Sequence, residues 1–213
     1  MLPGPDIYFE CPDCKTKVYV PSLLSGNTFG ADFFSDGRCY APMLPEYPLL
    51  TKCRNCGKIY WFEHQKPIDE FEIGQPRPSE FLSVPQAEQP DLSVYMEVIA
   101  DSLFTSGDEE IFIRKKLLWE INDFIRWGQE QKLNEDIIEY NIQNRHRLIK
   151  LLENKTSIDL ILLKAELHRN LGEFEMCNNI LESIEDEFHQ DVVEQIRKEC
   201  MAKNRGVFLF ESD

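Results

Sequence analysis

The chain has 213 residues, of which 42% are hydrophobic and 11% aromatic, so it is long enough to bury a core in one or two domains. Its formal net charge is −15, and residues 71–213, with 16 basic and 29 acidic residues, account for −13 of it. That balance argues against autonomous nucleic-acid binding by this part. No stretch is long and apolar enough to span a membrane, and the N-terminus lacks the pattern of a secretory signal, so we expect a cytoplasmic protein.

Two CxxC pairs stand out in the first 70 residues, Cys11 with Cys14 and Cys53 with Cys56. In a reducing compartment, paired cysteines bind metal or act in catalysis more often than they form disulfides. A redox CxxC normally opens a helix, whereas strand-forming residues follow both pairs here. Four thiolates complete the tetrahedron that Zn²⁺ prefers and leave no open position. The spacing therefore predicts one structural, non-catalytic zinc site.

The two strand-flanked CxxC knuckles resemble the zinc-ribbon fold group. Gly57 follows the second pair, where a glycine suits the knuckle turn, whereas Lys15 takes the equivalent place after the first pair. The 38 residues from 15 to 52 separate the pairs, against roughly 15–20 in a simple ribbon. We therefore predict a zinc-ribbon-like domain over residues 1–73 with a long insertion that folds as an elaboration.

The insertion, LLSGNTFGADFFSDGRCYAPMLPEYPLL from Leu23 onward, combines turn signals with aromatic residues. One interpretation is a strand pair packed on the ribbon core, since Asn and Asp in turns bond their own backbone. The other is a recognition surface, because loops on a rigid scaffold make good binding sites. The candidate residues for that surface are Asn27, Asp32, Asp36, Arg38 and Trp61.

The rest of the chain changes character at a segment of four prolines, residues 74–90, which we predict to be an extended linker. Beyond it, apolar residues recur at spacings of three and four, which predicts an all-α domain over residues 91–213. Within that domain, the basic stretch NRHRLIK at Asn144 is predicted to be a solvated helix face paired with nearby glutamates. The predicted fold class is therefore α+β.

Residues of about 157–187 resemble one tetratricopeptide-repeat hairpin. The matching positions are Ala165, Gly172, Phe174, Cys177 and Leu181. In such a hairpin a small residue lets the two helices approach, and a glycine permits the turn between them. With the ribbon, the chain is similar to a set of bacterial proteins of unassigned function that couple these two parts. The resemblance implies an architecture and carries no catalytic residues.

Three classes of function are compatible with these features. No phosphate-cradling glycine loop and no nucleophile elbow occurs, so we favour a non-enzymatic protein-interaction or adaptor protein. Its partner would be a protein, and a basic one if the chain is an acidic immunity or antitoxin-like protein. The alternative is a nucleic-acid-associated zinc ribbon, whose phosphate contacts would be Lys15, Lys17, Lys52, Arg54 and Lys58. The third is an enzyme that uses Asp32 and Asp36 of the insertion as acids.

Overall fold

The computed structural model describes residues 1–211 and has the α+β fold that the sequence predicts. The strands are β1 (Leu2–Glu10), β2 (Lys17–Ser25), β3 (Asp32–Phe33), β4 (Cys39–Tyr40), β5 (Leu50–Lys52), β6 (Ile59–Trp61) and β7 (Asp69–Phe71). The α-helices are α1 (Leu92–Ala100), α2 (Gly107–Arg126), α3 (Glu135–Leu151), α4 (Ile158–Leu171), α5 (Phe174–Glu182) and α6 (Gln190–Met201). Among the described helices, none combines the length and apolar character needed to cross a bilayer.

The chain divides into two compact units. The first unit contains residues 1–31 and 41–103, and the second contains residues 32–40 and 104–211 of the described chain. The insertion between the cysteine pairs is therefore shared: its middle, residues 32–40, belongs to the unit that holds most of the helices.

The first unit is built on an antiparallel sheet in the order β2-β1-β7. Successive side chains of a strand point to opposite faces, so Tyr8 and Phe9 of β1 enter two different small cores. Tyr8 contacts Phe71 and Phe81 on one face. On the other face, Phe9 packs with Phe62, next to Cys11 and Cys53. The sheet thus supports an aromatic core on one side and the cysteine pairs on the other.

The proline-rich residues 74–90 pack on this sheet. The amide of Tyr19 in β2 donates to the carbonyl of Pro85 at 3.0 Å, and the amide of Ala87 donates to the carbonyl of Tyr19 at 2.8 Å. Arg77 forms an ion pair with Asp6 of β1. The segment predicted as a linker lies within the first unit, as does α1.

The second unit contains α2 to α6, and side-chain caps begin the first two of these helices. The Ser106 side chain accepts from the amide of Glu109 at the start of α2, and Asn134 accepts from the amide of Ile137 at the start of α3. One apolar cluster joins α2, α3 and α4, and a second joins α4, α5 and α6. The central helix α4 therefore contributes to both cores.

Strands β3 and β4 form a short hairpin that belongs to this second unit. Gly37 has a positive φ of 77° in its turn. The amide of Ser35 donates to the carbonyl of Phe208 at 2.9 Å, and the amide of Phe210 donates to the carbonyl of Phe33 at 2.9 Å. The hairpin and the C-terminal residues are thus held to each other by backbone hydrogen bonds.

Helices α4 and α5 form a helical hairpin with its turn at Gly172. This glycine has a φ of 84°, in the left-handed region. Its amide donates to the carbonyl of Arg169 at 2.9 Å, and the amide of Glu173 donates to the carbonyl of His168 at 2.9 Å. These two bonds satisfy carbonyls at the end of α4 that would otherwise lack a partner.

Gly172→Ala is expected to lower the free energy of unfolding by about 1 kcal/mol, because a Cβ disfavours the left-handed backbone. Gly107→Ala is the matched control. It lies in the first turn of α2 with open space around its Cα, so the same change should stabilise by about 0.4–1 kcal/mol. Urea denaturation of both variants measures the difference. Equal effects at the two positions would contradict this account of the turn.

Candidate metal centre

The structure brings Cys11, Cys14, Cys53 and Cys56 together. Their Sγ atoms all lie within 4.8 Å of one another. The Sγ atoms of Cys11 and Cys56 are 3.6 Å apart, and those of Cys14 and Cys53 are 3.5 Å apart. A tetrahedron with metal–sulfur bonds of roughly 2.3 Å has edges of about 3.8 Å, whereas a disulfide bond is about 2.05 Å long. The four free thiols therefore fit a metal ion and not a pair of disulfides.

The two CxxC turns have the same backbone hydrogen bonds. The amide of Lys15 donates to the carbonyl of Cys11 at 3.0 Å, and the amide of Gly57 donates to the carbonyl of Cys53 at 2.9 Å. In each turn the first cysteine also donates its own amide to the carbonyl five residues further on. Lys15 and Gly57 both have a positive φ, of 61° and 76°. The first turn thus uses a lysine where the second uses a glycine.

The two CxxC turns belong to different sheets. The first turn connects β1 to β2, and the second connects β5 to β6, which pair only with each other among the described strands. Cys11 and Cys53 are buried against the apolar core, Cys14 is half-buried and Cys56 is exposed. A bound ion would therefore tie the two sheets together at the edge of that core.

The thiols of the cluster have unequal proton affinities. Hydrogen bonding, first from the Thr16 hydroxyl, which lies 3.2 Å from Cys14 Sγ, lowers the pKa of Cys14 to about 5. Burial raises the pKa of Cys11. The amide of Lys58 lowers the pKa of Cys56, but the neighbouring sulfurs together with burial raise it to about 12. A divalent cation at the centre would supply the positive charge that lets all four thiols ionise.

The predicted binding surface is divided between the two units. In the first unit, Asn27 is exposed and its Oδ1 accepts from the amide of Phe29 at 3.0 Å. Trp61 is only 5% exposed, and its Nε1 donates to the carbonyl of Leu103 at 2.6 Å. Asn27 therefore presents its side chain to solvent, whereas Trp61 belongs to the interior.

The other three residues of that predicted surface lie on the β3–β4 hairpin. Asp32 is exposed, and Arg38 is half-buried beside aromatic rings. Asp36 is fully buried, and its Oδ2 accepts from Arg126 at 2.6 Å and from Asn122 at 2.7 Å. Of the five residues predicted as a surface, Asn27 and Asp32 are the exposed ones, while Asp36 is a buried partner of the helices.

Two contributors to the metal centre were not among the residues that the sequence singled out. Thr16 places its hydroxyl against Cys14. The buried ring of Tyr60 packs beside the cluster, and burial, with the negative charge of the cysteines, raises its pKa. A hydroxyl two residues after a CxxC pair could have indicated the first. The second depends on how β6 folds over the core.

Comparisons of the chain with protein-family models, curated proteins and solved structures give no match. The candidate metal centre therefore rests on the sulfur positions and the backbone of the two turns. The zinc-ribbon and tetratricopeptide resemblances stay predictions.

The positive φ of Lys15 yields a stability prediction. A left-handed backbone costs a residue with a Cβ roughly 1–2 kcal/mol, whereas the greater freedom of glycine in the unfolded chain costs about 0.5–1 kcal/mol. Lys15→Gly should therefore stabilise the metal-loaded protein by about 0.5–1 kcal/mol. Chemical denaturation and the rate of metal loss to a chelator both report it.

The reciprocal variant Gly57→Lys is the control, since a Cβ there would meet only the flexible Lys52 side chain, at 4.0 Å, and the unfavourable backbone conformation should dominate. It is expected to destabilise the protein and to speed metal loss. A Lys15→Gly protein that is less stable than the wild type would contradict the equivalence of the two turns.

Proposed function

We propose that this chain is a non-enzymatic protein-interaction protein whose four-cysteine centre holds a structural zinc ion. The observation that carries the proposal is the set of four Sγ atoms within 4.8 Å of one another. Four sulfur ligands complete a tetrahedral shell and leave no position for water or substrate. Tetrahedral sulfur sites suit zinc or iron, and only iron would colour the protein.

The position of the centre supports a structural role. The two CxxC turns come from two separate sheets of the first unit, and the apolar cores on either face of β1 are small. Domains with little core commonly gain stability from a bound metal. The matching hydrogen bonds of the two turns agree with a zinc-ribbon arrangement, which the proposal includes.

The helical hairpin of α4 and α5 supports the tetratricopeptide-like part of the proposal. Ala165 of α4 and Cys177 of α5 are fully buried, and Leu181 lies beside them in the same apolar cluster. These are the positions at which closely packed repeat helices place small and apolar side chains. Helical repeats of this kind serve mainly as surfaces for other proteins.

The partner we propose is a basic protein that binds the segment from Glu173 to Glu194. This acidic segment contains eight Asp and Glu residues and no Lys or Arg. Seven of the eight are exposed, and Phe188 in their midst is 95% exposed. A concentrated negative charge speeds the approach of a basic partner, and an exposed aromatic side chain offers it an anchor.

The other two classes of function have less support. Lys52 and Arg54, which would contact phosphates, form ion pairs with Glu97 at 2.5 Å and Glu88 at 2.7 Å within the same unit. For the enzyme hypothesis, Asp36 would have to act as an acid, but its buried carboxylate accepts from Arg126 and Asn122. The contacts of these residues favour the protein-interaction role.

Protein purified without added metal should contain one zinc ion per chain by elemental analysis and should be colourless. Cys53→Ser should lose the ion, whereas Cys39→Ser, a cysteine outside the cluster, should keep it. Removing zinc with a chelator should abolish near-ultraviolet circular dichroism from the first unit, because metal binding contributes folding free energy. Zinc well below one equivalent, or full retention in Cys53→Ser, would refute the site.

Affinity purification with the intact protein tests the partner. Glu182, Glu185 and Glu187 of the acidic segment are changed together to Lys, and the control changes the exposed Glu130, Glu139 and Glu153 in the same way. We expect the wild type and the control to retain a basic protein that the acidic-segment variant loses. Retention should weaken as salt rises, since screening acts over about 8 Å at physiological ionic strength.

A partner retained equally by both charge-reversal variants would contradict the role of the acidic segment.

A titration with nucleic acid tests the alternative class of function. We expect no binding to duplex DNA or single-stranded RNA tighter than the non-specific range of about 10⁻⁴–10⁻⁶ M. Sub-micromolar binding that is lost on changing Lys15, Lys17 and Arg54 to Ala would establish the nucleic-acid alternative.

A further inference from the structure

A cavity of about 340 Å³ lies in the second unit, between the β3–β4 hairpin, α2, α3 and the C-terminal residues. Three arginines line it, with Asn122 and apolar side chains on the remaining wall. The lining residues that matter here are Phe34, Ile125, Arg126, Arg145, Arg205 and Val207. Three guanidinium groups around one cavity are unexpected in a chain whose net charge is −15.

The charge of Arg126 is balanced inside the protein. Its Nη2 donates to Asp36 Oδ2 at 2.6 Å, and its Nη1 forms an ion pair with Asp123. Its guanidinium also lies 4.3 Å from the centre of the Phe34 ring. Arg126 is thus fixed in place and forms a rigid part of the cavity wall.

The charges of Arg145 and Arg205 have no such balance. Within residues 1–211, neither forms an ion pair with a carboxylate. Arg145 donates from Nη2 to Asn122 Oδ1 at 3.4 Å, and its buried Nε has no hydrogen-bond partner in the described chain. Arg205 donates from Nε to the carbonyl of Asn170 at 3.1 Å. Burial lowers the pKa of Arg145; the negative charges of Glu166 and Asp36 oppose that effect, and the positive charge of Arg205 adds to it.

The neighbouring ion pairs do not compensate for this excess. The three cavity arginines and the neighbouring ion pairs together include five arginines and three carboxylates, a difference of two positive charges: Arg38, Arg126, Arg145, Arg169 and Arg205 against Asp36, Asp123 and Glu166. Each of the three carboxylates already accepts from an arginine other than Arg145 and Arg205. Arg145, which is half-buried with its Nε inaccessible to solvent, and Arg205, which is exposed, therefore have no carboxylate partner among the described residues. For Arg145 the lack of a counter-ion is costly unless an anion is supplied.

We propose that this cavity binds a phosphate group, held by Arg145 and Arg205 against the fixed guanidinium of Arg126. The planar fork of arginine donors matches the oxygens of phosphate, and such charge-assisted bonds are among the strongest hydrogen bonds in proteins. The volume is at the lower end of the roughly 300–1,000 Å³ of small-molecule sites, which admits a small phosphate ester as well as free phosphate. Phe34, Ile125 and Val207 would then contact the carbon skeleton of the ester.

Calorimetry and thermal unfolding of the intact protein test the site, with inorganic phosphate, glycerol 3-phosphate and glycerol as probes in a phosphate-free buffer. Both anions should bind saturably and raise the melting temperature, since a ligand of the native state stabilises it. Glycerol should do neither. Tighter binding of glycerol 3-phosphate than of phosphate would identify the ester as the ligand, and the reverse order would identify the free ion.

Arg145→Gln should weaken phosphate binding at least tenfold, while Lys150→Gln, an exposed lysine on the same helix, should change it less than twofold. If Arg145 had only a structural role, its replacement would lower the melting temperature of the ligand-free protein. Because Arg145 adds uncompensated charge, its removal should leave the ligand-free melting temperature unchanged or higher. Either of two results would overturn the proposal: no saturable phosphate binding below about 10 mM by the wild type, or equal weakening in the two variants.

Discussion

The second unit depends on one buried ion pair, between Glu166 and Arg169 on successive turns of α4. Both side chains are fully inaccessible to solvent. Burial raises the pKa of Glu166, and hydrogen bonds from Arg169, Ser35 and Asn170 oppose that shift. A buried pair of this kind is stable only when its remaining donors and acceptors are satisfied, because both ions have lost their hydration. Removing either partner would leave an uncompensated charge in the core.

The same pair explains why two distant segments fold onto the helices. Ser35 of the β3–β4 hairpin donates to Glu166 at 2.7 Å. Arg169 donates to the carbonyls of Asn204 and Gly206, which follow α6. The hairpin and the C-terminal residues thus complete a polar network that α4 could not satisfy alone. Their backbone hydrogen bonds to each other are a consequence of that shared attachment.

The electrostatics of this unit combine an acidic exposed segment with a cavity lined by arginines. The exposed segment from Glu173 to Glu194 carries much of the negative charge. Inside, buried carboxylates neutralise Arg126 and Arg169, whereas the half-buried Arg145 and the exposed Arg205 at the cavity have no carboxylate partner among the described residues. The proposed surface for a basic partner and the proposed cavity for a small anion are therefore compatible in one unit, since local geometry determines what each charge meets.

Much of the architecture follows from local sequence features. The CxxC spacing identified the four cysteines that cluster, because a knuckle turn is a short-range structure. The apolar stripes and Gly172 predicted helices and the turn between α4 and α5, because helix periodicity and left-handed backbone are properties of neighbouring residues. The α+β fold class was predictable for the same reason.

Only the tertiary structure decided where Asp36 of the insertion and Arg145 of NRHRLIK belong, whereas Arg147 and Lys150 are exposed, as predicted, and Arg147 pairs with Glu110. Asp36 lies in a turn by sequence, yet it is buried against Arg126, 90 residues further along the chain. Arg145 was predicted to lie on a solvated face, but its Nε is buried at the cavity. Whether a charge is solvated or buried depends on partners distant in sequence, and no local pattern encodes the free energy of that choice.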